Sequence, residues 1–211
     1  MSKIHLEILD EPRRLVFKRL KAFSNLGYLA GGTTLALQIS HRLSLDFDFF
    51  VSQPLKRTLI KKCREVFGED IQVIKQTADQ LTFYTTSNIK LDFVYYWYPL
   101  LGPLVKTPSV NLASITDIAA DKAATIGRRA TWRDYVDIFF LLKWELFSLK
   151  KIIDLSQKKF GGEFSELLFL EQLVYFKDLE MTKIKFLKEK HSESKIKRYL
   201  EGKVKEFLNR S

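Results

Sequence analysis

One cysteine, Cys63, and three scattered histidines, His5, His41 and His191, are all the soft metal-ligand chemistry that the 211 residues contain. A lone thiol closes no internal disulfide and so sparse a set builds no zinc-type cluster, so a metal on this chain has to be held by oxygen. Long apolar runs are missing too. The longest apolar and aromatic stretch, Phe93 to Tyr98, is far below the roughly 20 residues that span a bilayer. The amino terminus, Met1-Ser2-Lys3-Ile4-His5, has no signal-peptide core. A cytoplasmic protein without a membrane partner is expected.

Apolar residues and positive charge are plentiful. At 46% apolar composition, the chain can bury one good core, or one core and a small helical appendage, without staples. The net charge is +10, and between Lys183 and Arg210 ten Lys/Arg face four Glu. A basic face of this kind favours an anionic partner, with nucleic acid foremost, although charge does not say which one.

Apolar spacing predicts a helix over residues 11–26, with Pro12 in its first turn. A short buried strand at 28–30 is followed by a Gly31-Gly32 turn and a helix over 33–40. A half-buried strand at 45–51 precedes a helix over 55–67 that stops at Gly68. Strands at 71–75, 80–85 and 89–97 read as an antiparallel meander, and helices are expected over 114–128, over 132–144 and through most of the remainder, with a break at Gly161-Gly162. The fold class is α+β. The expected organisation is an α/β core over residues 1–108 and a helical domain over 109–211.

The chemistry concentrates in the acids. Residues two apart in a strand share a face, so Asp46 and Asp48 project together while Leu45, Phe47 and Phe49 turn into the core. Asp92 is the third candidate ligand, on the face of its strand opposite Leu91 and Phe93. Three gathered carboxylates repel one another unless a cation neutralises them, and Mg²⁺ suits a few carboxylates combined with substrate phosphates. An Asp-x-Asp strand is also a common wet sheet face. What favours a metal site is the glycine turn just upstream: Gly31, Gly32 and Thr33 open a helix, and backbone N–H groups at a helix start attract phosphate.

Gly31-Gly32-Thr33-Thr34-Leu35-Ala36-Leu37 and His41-Arg42-Leu43-Ser44-Leu45-Asp46-Phe47-Asp48-Phe49-Phe50 closely resemble the opening motif of the AbiEii/AbiGii toxin family of polymerase-β-like nucleotidyltransferases. A second block, Asp117-x-x-x-x-Lys122 followed by Arg128, Arg129 and Arg133-Asp134-x-x-Asp137, is similar to that family's later helices. The resemblance runs over about residues 27–144. It implies transfer of a nucleoside monophosphate from an NTP to an acceptor, with Asp46, Asp48 and Asp92 as catalytic metal ligands. Mg²⁺, or Mn²⁺, is the implied cofactor. Some relatives modify tRNA 3′ ends, and others act in phage defence beside an antitoxin, so RNA and an antitoxin are the expected partners.

Within that frame Gly31, Gly32, Thr33, Lys122 and Arg129 are assigned to the nucleotide. Lys122 has no acid one turn away on its own helix, where Ile118, Ala119, Thr125 and Ile126 stand. Asp134 and Asp137 either hold these cations or pair on the helix surface, as Arg133 and Asp137 could at i,i+4. His41 and Arg42 are read as cations satisfying the end of the preceding helix, and Tyr95, Tyr96, Trp97 and Tyr98 as core aromatics. Two rival readings remain: a nucleotidyltransferase of the same fold acting on a small molecule such as an aminoglycoside or on a protein, and a non-catalytic binding module.

Overall fold

The computed structural model describes residues 4–128 and 131–209. They form two compact units, Met1–Ser114 and Ile115–Ser211. The class is α+β, as expected.

The first unit is built on a five-stranded mixed sheet in the order β1-β2-β5-β4-β3, with β1 Gly27–Ala30, β2 Phe47–Val51, β3 Gln72–Gln76, β4 Gln80–Tyr84 and β5 Lys90–Tyr95. The meander β3-β4-β5 is antiparallel, as expected, whereas β5 lies parallel to β2. A parallel pair needs a long crossover, which α3 (Leu59–Phe67), β3 and β4 provide. Strand alternation sends Phe47, Phe49, Leu81, Phe83, Leu91 and Phe93 into one core with Phe23 and Phe67. Phe49 and Phe93 meet at 4.8 Å between ring centres, and Phe23 stacks on Phe67 at 5.8 Å. The opposite positions, Asp48, Thr82 and Asp92, therefore share the other face.

The first helix is shorter than the sequence predicts. Asp10 caps α1 (Glu11–Arg19) by accepting from the Arg13 N–H, and residues 20–23 tighten into a 3₁₀ turn. Helix α2 (Gly31–Ile39) is almost wholly buried and ends on Ser40, in the left-handed conformation. Residues 111–113 follow the free edge of β1: the Leu29 N–H donates to the Asn111 carbonyl at 2.9 Å, and the Ala113 N–H to that of Leu29 at 2.7 Å. That pairing covers an otherwise open edge.

The second unit comprises α4 (Ile115–Ile126), α5 (Trp132–Lys143), α6 (Leu149–Phe160), α7 (Glu166–Leu173) and α8 (Glu193–Leu208). Ser148, Ser165 and Ser192 each accept from a first-turn N–H and so fix three of the helix starts. Gly161, at φ 55°, ends α6. Helix α5 is buried from Trp132 to Leu142 apart from Arg133, which makes its two acids, Asp134 and Asp137, conspicuous. In α8 the stripe Ile196, Leu200 and Val204 is buried, while Leu208 is exposed.

Candidate active site

Two neighbouring strands bring the acids together. In the parallel register Asp48 lies directly across from Asp92, and in the antiparallel register Asp92 lies across from Thr82. Asp46 immediately precedes β2, on the same side of the chain as Asp48 by alternation. Strand β1 places Ala30 opposite Asp48 on its other side, so the turn that starts α2 is delivered to the same carboxylate.

The contact at that turn is tight. Gly31 has φ 71°, and a Cβ built on it would lie 2.0 Å from Asp48 Oδ2. A Cβ on Gly32 would lie 2.8 Å from a guanidinium nitrogen of Arg42 and 3.1 Å from Ser44 Oγ. The two glycines are thus a backbone surface pressed between an acid and a buried arginine, with no room for side chains. The Thr33 hydroxyl donates to the Asp46 carbonyl oxygen and lies 3.0 Å from Ser44 Oγ. That bond ties the first turn of α2 to the strand carrying the acids, so the Thr33 hydroxyl serves the scaffold and only its N–H faces the turn.

Asp92 is held from two sides. Its Oδ1 accepts from the Thr82 hydroxyl and from Gln80 Nε2 at 3.2 Å. Its Oδ2 lies 2.5 Å from the Lys90 ammonium. Burial pushes the Asp92 carboxyl up, but the hydrogen bonds from Lys90, Thr82 and Gln80 and the Lys90 charge outweigh it and hold the group below the usual carboxylate range. Lys90 shows the converse. Burial pulls its ammonium down, yet the bond to Asp92 and the charges of Asp92, Asp46 and Asp48 leave it above the ordinary lysine value. Lys90 escaped the sequence reading, although a residue two before Asp92 in a strand has to share its face.

Among the described residues no three His, Cys, Asp or Glu side chains converge into a ready-made metal cage. The donor chemistry nonetheless suits a hard divalent cation, with carboxylates on adjacent strands and a glycine cradle against one of them. The cluster already draws a cation of its own, the Lys90 ammonium.

In the second unit Lys122 Nζ lies 2.6 Å from both Asp134 Oδ1 and Asp137 Oδ2. Both of these partners come across from α5. Asp137 is fully buried on Lys122. Lys159 of α6 makes a second buried pair of contacts, 3.0 Å to Asp117 and 2.8 Å to Asp121. Arg129 lies outside the described residues. Arg42, read as a helix-end cation, is buried and reaches back to the start of α2. Of the aromatics taken as core, Trp97 is 60% exposed, and Tyr96 stacks on Phe50 at 4.3 Å.

The family model for the AbiEii nucleotidyl transferase toxin, of type IV toxin–antitoxin systems, matches residues 14–209. The chain belongs to this family. An uncharacterized protein of Aquifex aeolicus is 32% identical over 186 residues, spanning 86% of this chain and 87% of that protein. A crystal structure of a candidate nucleotidyltransferase from H. pylori superposes with a TM-score of 0.60 at 21% identity, covering 93% of this chain and 95% of the other. JHP933 from Helicobacter pylori gives 0.51 at 19% identity, covering 95% and 98%. At those identities the two structures establish the shared fold, and membership of the AbiEii toxin family makes the chain a nucleotidyltransferase. No helix among the described residues is long and apolar enough to cross a membrane.

Proposed function

We propose that this AbiEii-family protein transfers a nucleoside monophosphate from a Mg²⁺-bound NTP to RNA, with a tRNA 3′ end as acceptor, in the cytoplasm, and that an antitoxin restrains it, as in phage-defence pairs. The observation that carries this reading is the register of Asp48 opposite Asp92, with the Gly31 turn pressed against the Asp48 carboxylate.

Each residue then has a distinct task. The N–H groups of Gly31, Gly32 and Thr33 at the start of α2 receive phosphate oxygens, helped by the helix dipole. Asp46 and Asp48 hold the cation against those phosphates. Asp92, kept anionic by Thr82 and Gln80, orients the attacking hydroxyl side of the site. Bound there, Mg²⁺ or Mn²⁺ neutralises charge on the attacking and leaving oxygens of an in-line displacement. The assignment of Lys122 and Arg129 to the nucleotide rests on the family resemblance alone, and Lys122 is held by Asp134 and Asp137. The exposed cations Lys183, Lys185, Lys190, Lys195, Arg198 and Lys205 support an RNA acceptor, because phosphate-backbone binding needs such a surface.

The test is incubation with each of the four NTPs labelled at the α-phosphate, Mg²⁺ and total tRNA, with Asp48→Asn as control. Label entering tRNA with the wild-type protein alone is the expected result. Asp48→Asn transferring at the wild-type rate sinks the acid-site assignment. Metal-dependent NTP binding without RNA labelling moves the acceptor to a small molecule or a protein.

A further inference from the structure

The two oxygens of Asp92 are held in different ways. Oδ1 is fixed by Thr82 and Gln80, both from β4, in the interior of the sheet. Among the described residues Oδ2 is bound only by Lys90, at 2.5 Å, and the Lys90 side chain is 33% exposed against 8% for Asp92. Thr82 is buried and its hydroxyl sits on a short side chain, whereas Lys90 stands at the first residue of β5 on a flexible four-carbon stem and can swing into solvent. One carboxylate oxygen is thus held by a buried, short side chain and the other by an exchangeable cation.

We propose that Lys90 is a built-in counter-ion: it occupies Asp92 Oδ2 in the metal-free protein and withdraws when a divalent cation takes that oxygen. This inference rests on the acid site proposed above. Lys90 relieves the repulsion among the three acids, so the site stays folded while empty of metal. It also weakens capture of a free metal ion, because the competent arrangement is only a fraction of the population. A metal ion arriving with a nucleotide brings phosphate oxygens that accept the displaced ammonium, so Lys90 favours the metal–NTP complex over the bare ion. Lys90 is a positioning residue in this scheme, acting through Asp92.

Two measurements without nucleotide test it. The first is Mn²⁺ binding, by calorimetry or by loss of the free-ion paramagnetic signal, for wild type, Lys90→Gln, Lys90→Arg, Asp48→Asn and the Lys90→Gln/Asp48→Asn double variant, each confirmed folded by its thermal transition. Lys90→Gln should bind Mn²⁺ about tenfold more tightly than wild type, and Lys90→Arg should stay close to wild type. The second is the rate of acylation of the Lys90 amine, read by mass spectrometry. Saturating Mg²⁺ should speed it about fivefold or more, as expected for an amine freed from its carboxylate, while exposed Lys61 is unchanged. An unchanged or weaker Mn²⁺ affinity in Lys90→Gln overturns the proposal, as does acylation of Lys90 indifferent to Mg²⁺. Failure of the underlying site looks different: Mn²⁺ binding would then be insensitive to Asp48→Asn in both backgrounds.

Discussion

The Asp48 carboxylate fills the space in which a side chain at Gly31 would begin, 2.0 Å from where its Cβ would lie. The glycine is needed twice over, since its φ of 71° also disfavours any other residue. Gly31→Ala should cost about 1 to 3 kcal/mol in backbone strain and push Asp48 out of line. The expected outcome is a folded protein with a lower Tm whose nucleotidyl transfer falls about a hundredfold or more, since a misplaced ligand of about 1 Å has that effect. Circular dichroism melting and the labelled-NTP assay check it together.

Thr82 is the buried donor that fixes Asp92. Thr82→Val keeps the shape of the side chain but removes the hydroxyl, leaving a charged acceptor short of a bond. A loss of about 1.5 to 3 kcal/mol in urea unfolding is expected, together with a slower transfer rate. Thr82→Ser, which retains the hydroxyl, should recover most of both.

Lys122 is enclosed by Asp134 and Asp137. Lys122→Met removes the cation from between two buried carboxylates, and removing one partner of such a group costs about 3 to 5 kcal/mol. Neutralising both acids as well, in Lys122→Met/Asp134→Asn/Asp137→Asn, should restore a large part of the stability without restoring transfer. Denaturant unfolding and the activity assay separate the two effects. Equal stability in the wild type, the single variant and the triple variant would show that the network contributes nothing to the fold.

How much of this could be read beforehand differs by element. The strand–glycine–helix unit and the Asp46/Asp48 strand were legible because alternation and a Gly-Gly turn are local signals. The placement of Asp92 off the Leu91–Phe93 face was legible for the same reason. The parallel pairing of β2 with β5 was not, because it depends on which strand ends beside which after a long crossover. Lys122 shows the same limit: a scan of i±3 and i±4 positions looks only along its own helix, and the acids Asp134 and Asp137 that bind it come from another one. Lys90 was visible in principle, since Lys90-Leu91-Asp92 puts a cation and an acid on one face, but in a strand that arrangement becomes informative only once Asp46 and Asp48 are known to lie beside it.

His191 gives a pH signature in the second unit. Burial lowers its pKa below the ordinary 6.5, and although its hydrogen bond to Glu189 and the Glu189 charge oppose this, the charges of Lys143 and Lys195 add to the lowering. The unfolded chain therefore takes up the proton more readily than the folded one. The associated stability is intact above about pH 6.5 and is lost as pH falls through that value. His191→Phe should flatten the dependence of Tm on pH over this window. The separate loss tied to Glu189, whose pKa is lowered from 4.5 to about 2 by its bonds from Lys143 and Trp144, should remain at more acidic pH.

Cys63 supplies a simple probe of the first unit. It is fully buried in the core, and burial pushes its thiol up to about 12. No thiolate is then present at neutral pH, so thiol-reactive dyes should fail to label the native protein at pH 8 and label it fully in denaturant. Rapid native labelling would mean that the packing of α3 on the sheet opens readily.

Strand β5 is clasped between β2 and β4, and it brings Asp92 to a site whose other acids are encoded well upstream. On the ribosome, a growing chain that has emerged only as far as β4 carries the glycine turn and the Asp46/Asp48 pair but not yet β5 and its Asp92. In the acid site proposed above, transfer therefore has to wait until β5 has emerged and entered between its two neighbours.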